Sequence, residues 1–300
     1  MGAIFAHRGG FILNELFEQI TDWLKEMLVS AIMNNLSGLF DTVNEQVGSI
    51  ATEVGTTPAN FSPGVFTMIQ SISETVILPI AGIFLTFIAC YELIQMVIDH
   101  NNLSSFETWS FFKWVFKTFV AVMLITNTFN IVMAVFDVAQ HVVNASGGII
   151  GDSTAVDPTL LEDLETTISE MDLGPLVGLL FQTLIVQLTI RALSIVIFVI
   201  VYGRMVEIYM LTSLAPIPFS TFGNREQSQI GQSYLRSLFA LGFQGFLIMI
   251  CVGIYAVLVQ SVSVGDDPIA SVWMVLGYTV LLCFTLFKTS SIAKAVFSAH

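Results

Sequence analysis

Six polar side chains lie within long apolar stretches of the sequence, and they are the residues best placed for chemistry. They are Glu92, Asn127, Asn130, Asp137, Gln187 and Arg191. Polar groups at membrane depth are costly, so they face other helices or a water-filled path and often mark routes for ions or substrates. Transport or helix association is therefore the chemistry to look for.

Thr183, Gln187, Arg191 and Ser194 form a polar stripe on one side of a predicted helix. Arg191 is predicted to pair with Glu92 and Asn130. It lies near the middle of its apolar stretch, at almost the depth of Asn130. Glu92 lies about 8 Å away along the membrane axis, which an arginine side chain covers, whereas Asp137 lies about 15 Å away. Three interpretations stay open: the group holds helices together by hydrogen bonds, it lines a water-filled or gating position, or Arg191 snorkels without a specific partner.

The sequence lacks the residue patterns that other kinds of chemistry would need. The four histidines are far apart and the three cysteines all lie in apolar runs, so neither a metal site nor a disulfide framework is indicated. There is also no GxxxxGK(S/T) phosphate-binding loop. We therefore expect no catalytic activity, no metal and no cofactor.

The amino-acid composition indicates the environment in which these polar residues lie. Of 300 residues, 55% are hydrophobic and only 11% are charged, and the mean hydropathy is +0.81. A soluble domain carries about 25% charged residues, so an integral membrane protein is predicted. The net charge of −13 gives no basic excess for holding nucleic acid.

Five apolar stretches are long enough to cross a bilayer, which takes about 20 residues of helix. Each is predicted to be helical, because backbone groups in hydrocarbon must bond internally. The predicted spans are residues 75–98, 114–142, 176–202, 238–262 and 269–287. The predicted fold is therefore all-α, a polytopic membrane helix bundle over residues 71–295, with side chains such as Ile197 facing the lipid bilayer.

Residues 1–70 are predicted to form an extracytoplasmic amphipathic helix and a polar linker. Apolar residues from Leu13 to Ile32 recur at helical spacing opposite an acidic face. The linker contains Gly55 and two prolines. Either the helix packs on the protein or a partner, or it lies in the plane of the membrane interface; a sixth span is the least favoured interpretation.

The charges of the loops alternate and predict the orientation. Lys and Arg concentrate in cytoplasmic loops, here the loop that ends at Lys113 and Lys117, the loop 203–236 and the C-terminal tail. The loop 143–175 instead has seven acidic residues and no basic one. The pattern predicts a multi-pass protein of the cell membrane, with its N-terminus outside and its C-terminus in the cytoplasm.

The cytoplasmic segment 203–236 contains a clear break in an apolar helix. Arg204 and Glu207 begin it at the spacing of a helical ion pair. Pro216 and Pro218 then end the helix, because proline removes a backbone donor and restricts the residue before it. We predict a helix that stops at the cytoplasmic interface, with a re-entrant excursion into the membrane as the sharper alternative.

The layout of the chain resembles a known family. The resemblance rests on the five-span plan with an outside N-terminus, the preceding amphipathic helix, the large outer loop, the break Ala215-Pro216-Ile217-Pro218-Phe219 and the turn Phe222-Gly223-Asn224-Arg225. Over residues 10–295 the chain resembles the TrbL-like polytopic subunit of type IV secretion systems, in the shorter form found on conjugative elements of Gram-positive bacteria.

This resemblance implies a channel or scaffold subunit of a conjugative DNA-transfer apparatus, with no catalytic activity of its own. It implies a homo- or hetero-oligomer that works with other secretion subunits, among them a transfer ATPase and a coupling protein, on single-stranded DNA bound to a relaxase. The alternative is a secondary transporter or ion channel for a small solute that uses Glu92, Asn130 and Arg191. Transporters often consist of two similar halves, and no internal repeat is visible here.

Overall fold

The computed structural model describes residues 2–99, 108–151, 159–224, 226–261 and 268–299, and every regular element within these ranges is helical. The helices are α1 Gly2–Val54, α2 Pro58–Phe61, α3 Pro63–Ile72, α4 Leu78–Asp99, α5 Thr108–Thr126, α6 Thr128–Gly151, α7 Thr159–Ser169, α8 Leu173–Leu214, α9 Pro216–Ser220, α10 Ser228–Gln260 and α11 Pro268–Val296. A π-helical turn, Ser73–Ile77, joins α3 to α4, and a 3-10 turn, Thr221–Gly223, follows α9. The predicted all-α fold is confirmed.

In the described part of the chain, five helical stretches are long and apolar enough to cross a membrane, as predicted. They are Pro63–Ile98, Trp109–Thr126, Leu173–Gly223, Ser228–Val259 and Ala270–Val296. In the most apolar part of the fourth stretch 56% of the residues are buried, against 11% in the second. The apolar part of α10 is therefore more deeply buried than that of α5.

The predicted second span, 114–142, is divided into two helices. α5 ends at Thr126 and α6 begins at Thr128, with a turn at Asn127 between them. The Asn127 side chain donates to the Met123 carbonyl at 2.9 Å, a local bond by which asparagine competes with regular helix. Of the two helices, α5 supplies the candidate span in the part of the chain that the structure describes.

α1 is a single helix of 53 residues that takes up most of the predicted linker. The helix α1 ends just before Gly55. The next two helices begin at Pro58 and Pro63, because proline suits the first turn of a helix. The Gln140 side chain on α6 donates to the carbonyl of Val54 at 3.3 Å. Since the last carbonyls of a helix lack intrahelical partners, this bond satisfies the end of α1.

The predicted outer loop 143–175 contains helical structure. α6 continues to Gly151, and α7 occupies Thr159–Ser169. Two acidic residues of the predicted outer loop, Asp152 and Asp157, lie outside the described residues. Arg225 of the predicted turn after α9 also lies outside them.

The chain divides into two compact units, each made from three separate stretches. Unit 1 comprises Met1–Ser49, Ile150–Ile197 and Cys251–Phe284, and unit 2 comprises Ile50–Ile149, Phe198–Ile250 and Thr285–His300. Helices α1, α6, α8, α10 and α11 contribute residues to both units. Unit 2 has an apolar core that includes Leu85, Ile125, Val132, Met205, Phe219 and Leu238.

Candidate functional site

In unit 1 the polar stripe of α8 faces α1. Asn35 Nδ2 donates to Thr183 Oγ1 at 3.4 Å, and Gln46 Nε2 donates to Ser194 Oγ. Both pairs are separated by 148 residues in the sequence. The two helices therefore run parallel over this stretch, in a constant register. We call these pairs, with the contact of Gly38 and Gln187 between them, the polar seam.

Gln187 contributes to the polar seam through a close approach of the two helices. A Cβ added to Gly38 would lie 3.3 Å from Nε2 of Gln187, so the missing side chain brings the helices near each other. The partners expected on the first and second predicted spans were those of Arg191. Within unit 1, α1 provides the partners of Thr183, Gln187 and Ser194.

Arg191 is exposed and makes no hydrogen bond or ion pair with any residue that the structure describes. The exposed side chains around it on α8 are apolar, with Leu184 at 45%, Leu188 at 72% and Ile195 at 66% exposure. Gln187 belongs to the polar seam instead. Arg191 thus lies at the boundary between the seam and an apolar outer face. Ile197, predicted to face lipid, is buried at 2% exposure.

Glu92 on α4 pairs with Lys117 on α5, with 2.5 Å between the carboxylate oxygen and Nζ. The side chain of Glu92 is 24% exposed and that of Lys117 is 49% exposed. In the same helix pair, Trp114 Nε1 donates to the carbonyl of Ala89 at 3.1 Å. The acid expected to pair with Arg191 is therefore engaged by a lysine within unit 2.

The remaining predicted residues are exposed. Asn127 bonds to its own turn, through the Met123 carbonyl and Thr126 Oγ1. Asn130 and Asp137 make no hydrogen bond or ion pair with the described part of the chain. Asn127, Asn130 and Asp137 belong to unit 2 with Glu92, whereas Gln187 and Arg191 belong to unit 1.

The burial of Arg204 was not predicted from the sequence. Arg204 was assigned to a cytoplasmic loop beside Glu207, yet it lies within α8 at 5% exposure. Its Nε donates to the Leu241 carbonyl at 3.3 Å and its Nη2 to the Gly242 carbonyl at 3.4 Å. Glu207 instead lies 3.5 Å from Lys294. The predicted Arg204–Glu207 ion pair was wrong, because the guanidinium turns inward to α10.

Glycines on α10 make this burial possible. A Cβ added to Gly245 would lie 2.7 Å from Nη2 of Arg204 and 3.0 Å from its Cζ. A Cβ added to Gly242 would lie 3.0 Å from the Cβ of Ala139 on α6. One glycine leaves room for a guanidinium and the other for a neighbouring helix. In the sequence, the spacing of Gly242 and Gly245 three residues apart on one helix is the feature that could have indicated space for the Arg204 side chain.

The proline-containing segment packs against two candidate spans. α8 ends at Leu214 and α9 begins at Pro216. After α9, a Cβ added to Gly223 would lie 3.5 Å from the Cβ of Ala121 on α5 and 3.6 Å from Cδ1 of Leu85 on α4. Both neighbours lie within apolar spans rather than at their ends. This packing places the turn after α9 against α4 and α5.

Side chains satisfy the backbone of the broken segment. The Tyr234 hydroxyl donates to the Leu211 carbonyl at 2.7 Å, and Thr221 Oγ1 donates to the Pro218 carbonyl at 2.7 Å. The backbone N–H of Gly231 donates to Thr221 Oγ1 at 3.1 Å. Irregular backbone is tolerated at membrane depth only where the protein supplies such partners.

Together, the fold and these sites define an all-α, multi-pass membrane protein. Among the described residues no cluster of His, Cys, Asp and Glu could hold a metal ion. The profile of the TrbL/VirB6 plasmid conjugal transfer like protein family matches residues 43–216, more than half of the chain. The chain therefore belongs to this family, which confirms the predicted resemblance. No curated protein and no solved structure matches it significantly.

Proposed function

We propose that this protein is a channel or scaffold subunit of a type IV secretion apparatus for conjugative DNA transfer, with no chemistry of its own. The observation that carries the proposal is the family match over 43–216, which extends from the end of α1 to Pro216. The five candidate spans among the described residues support insertion into a membrane. The polar seam and Arg204 join helices to one another, as a scaffold requires.

The proposal includes partners. In the cell membrane the subunit assembles with further secretion subunits, with a transfer ATPase and with a coupling protein that delivers relaxase-bound single-stranded DNA. The family match supports association with the secretion apparatus.

Loss of the gene tests the function. A deletion strain is expected to lose detectable transfer of the conjugative element, while growth and copy number of the element stay unchanged. Expression of the intact chain in trans should restore transfer. Normal transfer from the deletion strain would refute the proposed function.

The proposed orientation has the N-terminus outside and the C-terminus in the cytoplasm. It is supported by Arg225 and Arg236, which follow the proline-containing break, and by the acidic residues of segment 143–175. A reporter fused after Asp163 should behave as extracytoplasmic, and one fused after Arg225 as cytoplasmic. The reverse pattern would show that the orientation is inverted.

A further inference from the structure

A groove of about 150 Å³ lies along α5 in unit 2, beside the 3-10 turn that follows α9. It is lined by five residues of α5 and one of the turn: Phe116, Lys117, Val120, Ala121, Leu124 and Phe222. The α5 residues follow one another by one or three positions, which places them on one side of the helix. Apart from the lysine, every lining residue is apolar. The groove is therefore suited to hydrocarbon.

Phe222 forms a fixed wall of this groove. A Cβ added to Gly231 of α10 would lie 2.8 Å from Cζ of Phe222, so the ring packs closely on the backbone of that helix. The ring also meets the ring of Phe219 edge-on, with 5.4 Å between the two centroids. The packing within unit 2 therefore holds this wall in place.

Positive charge lies at one end of the groove. α5 contains Lys113 and Lys117 and no acidic residue, in a chain whose net charge is −13. Lys117 is paired with Glu92, whereas Lys113 has no ion pair with a described residue. Its Nζ lies 5.7 Å from the centre of the Trp109 ring, so the side chain extends back toward the start of α5. One unbalanced cation therefore remains beside the groove.

The length of α5 relates this charge to a membrane surface. The candidate span Trp109–Thr126 has 18 residues, about 27 Å of helix. A helix of this length that crosses a hydrocarbon core about 30 Å thick has no residues to spare, so Trp109 lies close to one surface. Tryptophan and a snorkelling lysine are both typical of that level. Leu124 lies about 16 Å from Lys113 along the helix, which is about the depth of one leaflet.

We propose that the groove binds an acyl chain of a phospholipid with an anionic headgroup, whose phosphate lies at Lys113. The apolar lining takes the chain, and the lysine balances the negative charge. A helix is about 10 Å across with its side chains, which is too wide for a groove of this volume, so the occupant is a lipid and not a neighbouring helix. This binding goes beyond the proposed function, because it depends on α5 lying in the membrane and not on the apparatus that contains it.

Competition between two lipids tests the inference on the purified, delipidated chain in detergent. Native mass spectrometry counts the lipids that the chain retains from an equimolar mixture of phosphatidylglycerol and phosphatidylcholine with identical acyl chains. We expect about fivefold more phosphatidylglycerol to be retained, which is the effect of one lysine near an anionic surface. Lys113→Gln should remove this preference. Lys288→Gln is the matched control, because Lys288 is an exposed lysine on α11 outside the groove, and it should keep the preference.

A second variant tests the place of the acyl chain. Val120 is 37% exposed, so Val120→Phe fills the groove from outside and should lower the retention of both lipids without lowering the unfolding temperature. Retention of neither lipid, or of both equally, by the unaltered chain would overturn the inference. So would a preference that survives Lys113→Gln or is lost equally in Lys288→Gln, or retention that Val120→Phe leaves unchanged. None of these readouts depends on DNA transfer, so the deletion strain reports separately on the proposed function.

Discussion

Two arginines on α8 have opposite surroundings. Arg191, in unit 1, is exposed beside apolar side chains and has no ion-pair partner among the described residues. Arg204, in unit 2, is 5% exposed and is held by two backbone carbonyls of α10. A carbonyl has a second lone pair even when it accepts a helical hydrogen bond. A cation in this helix is therefore buried where the next helix offers space, at Gly245, and free acceptors.

The largest effect is expected from truncation of the buried arginine. Arg204→Ala leaves a cavity between α8 and α10 and should destabilise the protein by about 2–4 kcal/mol. Thermal unfolding of the detergent-solubilised protein measures the change. Arg204→Met keeps most of the volume and removes the buried charge, so it should cost less. If Arg191→Ala costs as much as Arg204→Ala, the contrast between the two arginines fails.

A methyl group added beside Arg204 should have the next largest effect. Gly245→Ala places a Cβ 2.7 Å from Nη2 of Arg204, and overpacking of this kind costs about 1–3 kcal/mol. The penalty should shrink in the Arg204→Ala background, which a double-mutant cycle of unfolding temperatures measures. Gly277→Ala is the control, because its added Cβ meets nothing within 4 Å. An unchanged penalty without Arg204 would contradict the proposed fit.

The coupling free energy between Glu92 and each of two basic residues, Lys117 and Arg191, shows which of them is its partner. Glu92→Gln and Lys117→Met should show a coupling free energy of up to about 1 kcal/mol, since both charges are partly exposed. The corresponding cycle between Glu92 and Arg191 should give a coupling near zero. Unfolding of the detergent-solubilised single and double variants measures both coupling free energies. A larger coupling with Arg191 would restore the pairing predicted from the sequence.

The smallest effect on stability is expected at the exposed arginine. Arg191→Ala removes no contact with the described residues, so the free energy of unfolding should change by no more than about 0.5 kcal/mol. Protein abundance in membranes and the unfolding temperature both report this change. A clear loss of folded protein would show that Arg191 has a structural partner.

The fold could be predicted from the sequence where the signal is local. Each span is a long, predominantly apolar run, and the need to bond the backbone in hydrocarbon makes it helical. The end of α8 at Leu214 follows from Pro216, which cannot continue the hydrogen-bonding pattern. The turn at Asn127 was missed, because one asparagine in an apolar run is a weak signal.

The partners of the polar residues could not be predicted, because they depend on helix register. The α8 stripe was recognised, but Thr183 and Ser194 meet Asn35 and Gln46 through a parallel pairing of segments 148 residues apart. Spacing within one helix shows which side chains share a face and not which helix they meet. Arg204 was misplaced for the same reason, since a basic residue after an apolar run is typical of a membrane interface.

The π-helical turn Ser73–Ile77 has a consequence for variation in chain length. Such a turn holds one residue more than an α-helical turn, as if one amino acid had been inserted into a continuous helix. Loss of one residue there restores an ordinary turn and leaves the faces of α3 and α4 aligned. Loss of one residue within α4 instead rotates everything after it by about 100°. Natural relatives are therefore expected to gain or lose a single residue at this turn more readily than elsewhere in the helix.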